Sequence, residues 1–404
     1  MSQVSFDGIT VTLEEVQDNP ARYVRQLERA KKSPGYAVCR CKLVAGGTPL
    51  RLVVRRYGAL FHLARWPDEG PIHDAHSCNF YAAASPKGSA KSDALEAIRQ
   101  TPMGLNVKLD ASLSVRTVER STRTTGNASG TGPTRRAAPL LGFLQRLWLE
   151  AGLNVWSGAP ARSWGQCNAQ ILAALGEGKL NGKPIQDVLH VMRRYDENEA
   201  ETITAEFETF LNRITTTSEA SQRGLVIAEL RGVDASKYGY VVKLRQTKRT
   251  FFASKAVIET AAASFRSAWA MVGDATARVV ALGVIERTKE GNLRIVEMAL
   301  QLCSSSFLPC DSSYEVAMSN RLVAERRRFT KPLRLESGEA MLPDFQLTDT
   351  AITTAIEVYG MVGNPQYFAR KKEKQALYAR AATPCIEWIP PAELAAVRLP
   401  AAMT

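Results

Sequence analysis

Leu342-Pro343-Asp344-Phe345 and Ala355-Ile356-Glu357-Val358-Tyr359-Gly360 decide how the rest of the chain is read. They lie in two apolar runs, Met341 to Leu347 and Ala351 to Tyr359, separated by a polar turn at Thr348, Asp349 and Thr350. Short apolar runs bounded by turn residues read as strands, and two in succession read as a hairpin. Each run carries one carboxylate, Asp344 in the first and Glu357 in the second. A carboxylate among side chains that favour burial is costly unless something positive meets it. Two on neighbouring strands repel each other unless a cation sits between them. Mg²⁺, which takes oxygen ligands and uses one or two carboxylates plus substrate phosphate, is the expected ion.

Around the hairpin, residues 308–404 read as a helix (Ser312–Arg327), a strand (Phe329–Leu335), the two hairpin strands, a helix (Pro365–Arg380) and a strand (Pro384–Ile389). Pro365 suits the first turn of a helix, and Pro390-Pro391 stops the last strand. This αβββαβ order, with Pro343-Asp344 on the second strand and Glu357 thirteen residues later on the third, resembles the core of the PD-(D/E)XK nuclease superfamily. The resemblance implies metal-dependent phosphodiester hydrolysis, with Asp344, Glu357 and the carbonyl of Val358 around Mg²⁺. It also implies an acid on the first helix, where Glu315 stands. Ser312 and Glu315 equally form a capping box, a purely structural use. The superfamily pattern wants Lys two residues after the Glu, and this chain has Tyr359. Some branches carry that cation on the following helix. Here Tyr367, Arg370, Lys374 and Tyr378 share one helical face, so Lys374, with Arg370 beside it, is the candidate. The competing reading makes Arg370 to Lys374 a solvated charged face. Arg326, Arg327, Arg328 and Lys331 are expected to contact backbone phosphates, giving salt-sensitive and sequence-blind affinity.

The chain has 404 residues, a net charge of +12 and 45% hydrophobic content, which fits a folded protein of two or three domains with polyanion partners, DNA first. Its opening residues carry scattered acids and no apolar core, and no apolar run is long enough for a membrane span, so a cytoplasmic protein is expected. Seven cysteines, an odd and scattered set, argue against a disulfide framework.

Five chemistry-bearing residues gather near the start: Cys39, Cys41, His73, His76 and Cys78. Two close pairs about 30 residues apart can surround one Zn²⁺ tetrahedrally. Three thiols and one imidazole make the natural count, with His73 as first choice for the fourth ligand and His76 as reserve. Four protein ligands leave no open position, so the zinc is read as structural. The bland alternative is two buried free thiols beside an unrelated polar loop.

The expected architecture is α+β and multidomain. Residues 1–116 form a small β-rich zinc module that opens with one amphipathic helix, roughly Leu13 to Ala30. Residues 117–138, almost without apolar side chains, read as a flexible linker. Residues 139–220 are helical, with Trp148, Trp156 and Trp164 read as core, and 221–307 form an α+β middle region without a catalytic motif. Residues 308–404 carry the nuclease-like core.

Taken together, several motifs resemble an uncharacterised bacterial domain-of-unknown-function family carried on integrative and conjugative elements. They are Cys39-x-Cys41 with Gly70-Pro71-x-His73 and Cys78-x-Phe80-Tyr81, Leu144-x-x-Leu147-Trp148 with Ala151-Gly152-Leu153-Asn154-x-Trp156, and Pro309-Cys310-Asp311-Ser312. The resemblance implies a role in mobile-element DNA transfer or maintenance, with conjugation proteins as partners. Two functions from different classes follow: a Mg²⁺-dependent deoxyribonuclease, or a DNA-binding adaptor that keeps the fold without turnover. A scaffold in conjugation, docking partners through 139–300, is a third.

Overall fold

The structure is a computed structural model that describes residues 2–42, 48–67, 69–74, 78–81, 97–101, 103–116, 139–333, 342–360 and 365–403. The expected linker, 117–138, and His76 lie outside the described residues. The protein is α+β, with the Cys/His cluster near its N-terminus.

The N-terminal sheet is antiparallel, with strand order Ile9–Thr12, Gln3–Phe6, Ala37–Cys39, Leu50–Tyr57, Leu60–Arg65. The single helix expected over Leu13 to Ala30 is broken into Leu13–Asp18, a 3-10 turn Pro20–Tyr23, and Val24–Lys32. Pro20 is the cause, since its ring and missing N–H cannot continue a helix. The pieces press Leu13, Val16, Leu27 and Ala30 onto Val4, Leu52 and Val54 of the sheet.

In the helix Leu140–Glu150, the buried residues Leu140, Phe143, Leu144 and Leu147 recur at helical spacing. The tryptophans expected in the core are there: Trp148, Trp156 and Trp164 are all buried. Trp148 donates its indole N–H to the Phe307 carbonyl at 3.1 Å.

The middle region is a closed barrel. Its strands are Gly224–Ser236, Gly239–Leu244, Phe251–Ala253, Ala277–Arg287 and Leu293–Ser304. Numbered by chain order, they pair 1-2-3-5-4 and then 4 with 1, with strands 3 and 5 parallel and the other pairs antiparallel. The helices Lys255–Ser264 and Arg266–Ala270 connect strands 3 and 4. Alternation with period two sends Val226, Ala228, Leu230, Val242 and Phe251 inward. Register shifts at Leu230/Gly232 and Val284/Ile285 supply the local kinks that closure requires.

The C-terminal sheet has the order Cys385–Trp388, Thr354–Val358, Phe345–Leu347, Arg328–Thr330, Val155–Ser157. All pairs are antiparallel except Thr354–Val358 with Cys385–Trp388. The helices Ser313–Ala324 and Pro365–Arg380 complete a helix, three strands, helix, strand succession. Its strands are shorter than the apolar runs suggest. Val155–Ser157, from the stretch read as helical, adds a fifth strand to this sheet, with Phe329 opposite Trp156.

One ion pair fastens this sheet. Arg327 donates from Nε and Nη2 to the two carboxylate oxygens of Asp349 at 2.9 and 2.8 Å, and the Arg328 amide donates to Oδ2 at 2.8 Å. Both side chains are buried. Asp349, read from sequence only as part of a polar turn, is therefore an anchor. Removing one partner of a buried pair leaves an uncompensated charge, so Asp349→Ala is expected to cost about 3–5 kcal/mol. Urea denaturation measures it; a loss within experimental error would show that the guanidinium finds water instead.

Candidate functional site

Two clusters carry chemistry. The first lies where the strand Ala37–Cys39 ends and the 3-10 turn Gly70–Ile72 delivers His73. Cys39, Cys41, His73 and Cys78 place one ligand atom each within 4.8 Å of all the others. Cys39 Sγ is 3.5 Å from Cys78 Sγ, and His73 Nδ1 is 3.4 Å from Cys78 Sγ and 3.6 Å from Cys41 Sγ. A disulfide sulfur pair sits at about 2.05 Å, so these are free thiols in contact. Zn–S bonds of about 2.3 Å in a tetrahedron put sulfurs at separations of this order. Backbone amides already face the sulfurs: Asp74 N donates to Cys41 Sγ and Phe80 N to Cys78 Sγ, both at 3.4 Å. The hydrogen bond from Cys78 is the main cause that pulls the Cys39 thiol down to about 4, against burial. The cluster could hold a structural zinc ion, with His73 as the fourth ligand.

The second cluster surrounds the hairpin. Phe345 pairs with Ile356, so continuing the register by one position sets Asp344 opposite Glu357, and residues directly opposite share a face. Asp344 Oδ2 accepts from the Val358 amide at 2.7 Å. Glu357 is almost wholly buried, and Lys374 Nζ donates to its two oxygens at 2.9 and 2.8 Å and to the Leu342 carbonyl at 2.9 Å. The Tyr378 hydroxyl donates to Glu357 Oε1. Burial raises the Glu357 pKa, while Lys374 and Tyr378 pull the other way. Two of the four residues expected on one helical face, Lys374 and Tyr378, thus converge on Glu357. Arg370 lies on the same helix, but its side chain is outside what is described.

Beside this pair lies a third acid. Glu315, buried in the first turn of Ser313–Ala324, has its amide held by the Ser312 hydroxyl at 3.2 Å. Its carboxylate accepts from the Asp311 amide at 3.1 Å and pairs with Lys331 at 2.8 Å. Burial lifts Glu315 to about 7, opposed by Lys331. Lys331 also reaches Asp311 at 3.3 Å and comes within 4.0 Å of Asp344 Oδ1. Burial works to deprotonate Lys331, but the three surrounding carboxylates outweigh it and hold the pKa above the ordinary lysine range.

This changes the reading of the basic run. Lys331 is buried among acids rather than aimed at solvent, and Arg327 is committed to Asp349. Neither is free to touch a phosphate backbone. Arg326 is exposed, with a left-handed backbone (φ 55°), and the partly exposed Arg328 donates from Nη2 to the Met403 carbonyl at 2.8 Å. The charge needed by Glu315 is supplied from the strand that follows its helix, and that of Glu357 by Lys374.

Residues 11–391 match the family described as protein of unknown function, DUF1173. The chain belongs to this family. No curated protein and no solved structure matches it. Among the described residues no helix is long and apolar enough to cross a membrane.

Proposed function

We propose that the Asp344–Glu357–Lys374 cluster is the active site of a Mg²⁺-dependent deoxyribonuclease. The observation that carries this reading is Lys374: from the helix after the hairpin, it lies within 3 Å of the buried acid whose own strand offers Tyr359 where a lysine is expected. The αβββαβ succession and the mixed sheet support it as context. A DNA role on a mobile element follows from the family resemblance and the +12 charge.

The donor set is all oxygen and anionic, which suits a hard cation. Asp344 keeps Oδ1 beyond hydrogen-bond reach of Lys331, and a carboxylate has about four lone-pair sites, of which Glu357 uses three. Asp344 and Glu357 would hold the ion. Bound there, it would lower the pKa of a water and offset charge on the phosphate oxygens. Lys374 is placed to hold the attacking water and to offset developing negative charge. Tyr378 fixes the Glu357 carboxylate in orientation. Glu315 and Lys331 lie beside Asp344, with Lys331 Nζ paired to Glu315 and 4.0 Å from Asp344 Oδ1.

One observation favours a second reading, a DNA-binding adaptor without turnover: Lys374 already matches the charge of Glu357, so burial of the acid alone requires no metal. Incubation with supercoiled plasmid and Mg²⁺ or Mn²⁺, beside Asp344→Ala and Glu357→Ala, separates the two. Nicking by the wild-type chain alone supports the nuclease. Salt-dependent mobility shifts without nicking overturn it in favour of the adaptor.

A further inference from the structure

Helices cover only part of the outside of the closed barrel. Leu225, Ile227, Val280, Leu282 and Val284, which do not line its interior, are buried against the helices Leu140–Glu150 and Trp164–Leu175. These two helices leave strands 2 and 3 uncovered, with the helix Lys255–Ser264 touching strand 2 and Arg249, between strands 2 and 3, paired with Glu208. On these strands and their loops the sequence exposes what soluble surfaces usually withhold. Tyr238, at the tip of the connection between strands 1 and 2, is 87% exposed, and Phe252 on strand 3 is 38% exposed. Phe252 lies directly opposite Val241 on strand 2 and Arg294 on strand 5. Phe251 and Val242 point inward, so Phe252 and Val241 point out.

The loop is held in place. Gly239 has φ +144°, and a Cβ there would lie 2.5 Å from the Ala253 carbonyl oxygen. The chain after Tyr238 therefore lies against Ala253 at the end of strand 3, the residue next to the exposed ring at 252. Lys237 places its ammonium 5.1 Å from the Tyr238 ring centroid.

The charge is suited to a polyanion. Residues 224–304 carry twelve Lys and Arg against seven Asp and Glu. Two of the acids, Glu229 and Glu286, are buried and paired with Arg245 and Arg278 and with Arg223 and Arg294. Lys243 is matched by Asp234. Among the described residues Arg231, Lys237 and Lys248 form no ion pair; Arg231 lies on strand 1, which pairs with strand 2, Lys237 in the loop between strands 1 and 2, and Lys248 in the loop between strands 2 and 3.

We infer that the uncovered face of the barrel, through Tyr238, Phe252 and the unpaired cations around them, binds single-stranded DNA. Exposed rings on a basic face supply stacking that tolerates any base, and the cations track the phosphates. One class of five-stranded Greek-key barrel uses the equivalent face, strands 2 and 3 with the loop between strands 1 and 2, for oligonucleotides or oligosaccharides. A duplex keeps its bases stacked internally and cannot offer them to Tyr238 or Phe252.

The test is fluorescence anisotropy of a labelled oligothymidine with the full chain and no added Mg²⁺. This reads binding without cleavage, so it stands whether or not the acidic site is active. The wild-type chain should bind oligothymidine more tightly than a duplex of equal length. Tyr238→Ala with Phe252→Ala should weaken oligothymidine binding by about 10- to 100-fold, leaving duplex affinity and the melting temperature unchanged. Lys237→Ala should flatten the dependence on salt. Unchanged affinity in the double variant overturns the inference, as does a preference for duplex. Tighter binding of oligouridine overturns the choice of DNA.

Discussion

Lys374→Ala is expected to abolish plasmid nicking and to destabilise the fold more at alkaline than at acidic pH. Two effects combine. Lys374 makes three hydrogen bonds, two of them to a carboxylate that is 2% exposed. Loss of one partner leaves a buried charged acceptor short of donors, at about 1–3 kcal/mol. The lysine itself is 25% exposed, so water can enter and keep the loss within this range. For turnover, loss of a group that stabilises developing charge typically costs about 10²- to 10³-fold.

The pH dependence fixes the cause. Burial already raises the Glu357 pKa above its ordinary value, against the pull of Lys374. Without Lys374 it rises further. An acid with a raised folded-state pKa favours the folded state at low pH, and that contribution is lost as pH climbs through the folded pKa. The penalty of Lys374→Ala is therefore small near pH 5 and larger near pH 8, by urea denaturation at both. Glu357→Gln added to Lys374→Ala should recover stability at pH 8, since no charge is then left buried. An equal penalty at both pH values would show that Lys374 acts through its stem or the Leu342 carbonyl. The site would then lose its pairing rationale.

The parts of this site that were readable in the sequence share a feature: they break a local rule. Asp344 and Glu357 stand in apolar runs, and Lys374 shares a helical face with Tyr378, so each announces itself at short range. Lys331 and Arg327 follow the ordinary pattern of a basic surface run. Only the partners Glu315 and Asp349, brought in by packing, reveal their burial. The middle region was legible as α+β but not as a barrel, and its short strand Phe251–Ala253 carries no sequence signal of its own. Its closure depends on Gly224 meeting Ile285, a pairing across some sixty residues that no local period encodes. The three-residue strand Val155–Ser157 is too short to show any period, and its partner lies in another part of the chain. Local chemistry and element type are visible in one dimension; which edges meet is decided by global packing.

The N-terminal cluster gives the second large effect. Purified chain should carry about one zinc ion, read by elemental analysis. Cys39→Ser and Cys78→Ser should each bring the metal content close to zero. His73→Ala should do the same, whereas His76→Ala should leave it unchanged, because His73 Nδ1 already lies among the thiols. Folding is linked to the ion by mass action. Zinc at 100 times its dissociation constant stabilises by about 2.7 kcal/mol, and a zinc-selective chelator, used with Mg²⁺ kept in excess, removes that contribution. The N-terminal sheet should feel the loss first, since Cys39 and Cys78 belong to its core and Cys41 packs against it. Hydrogen exchange should therefore accelerate in Ala37–Cys39 and Leu50–Tyr57 on chelation while the barrel strands keep their protection. Nicking and oligothymidine binding should outlast chelation at moderate temperature, because neither of their sites uses a cysteine ligand. If chelation instead stops nicking at once while leaving exchange in the N-terminal sheet unchanged, the ion is not structural, and the four ligands would have to open a position for chemistry.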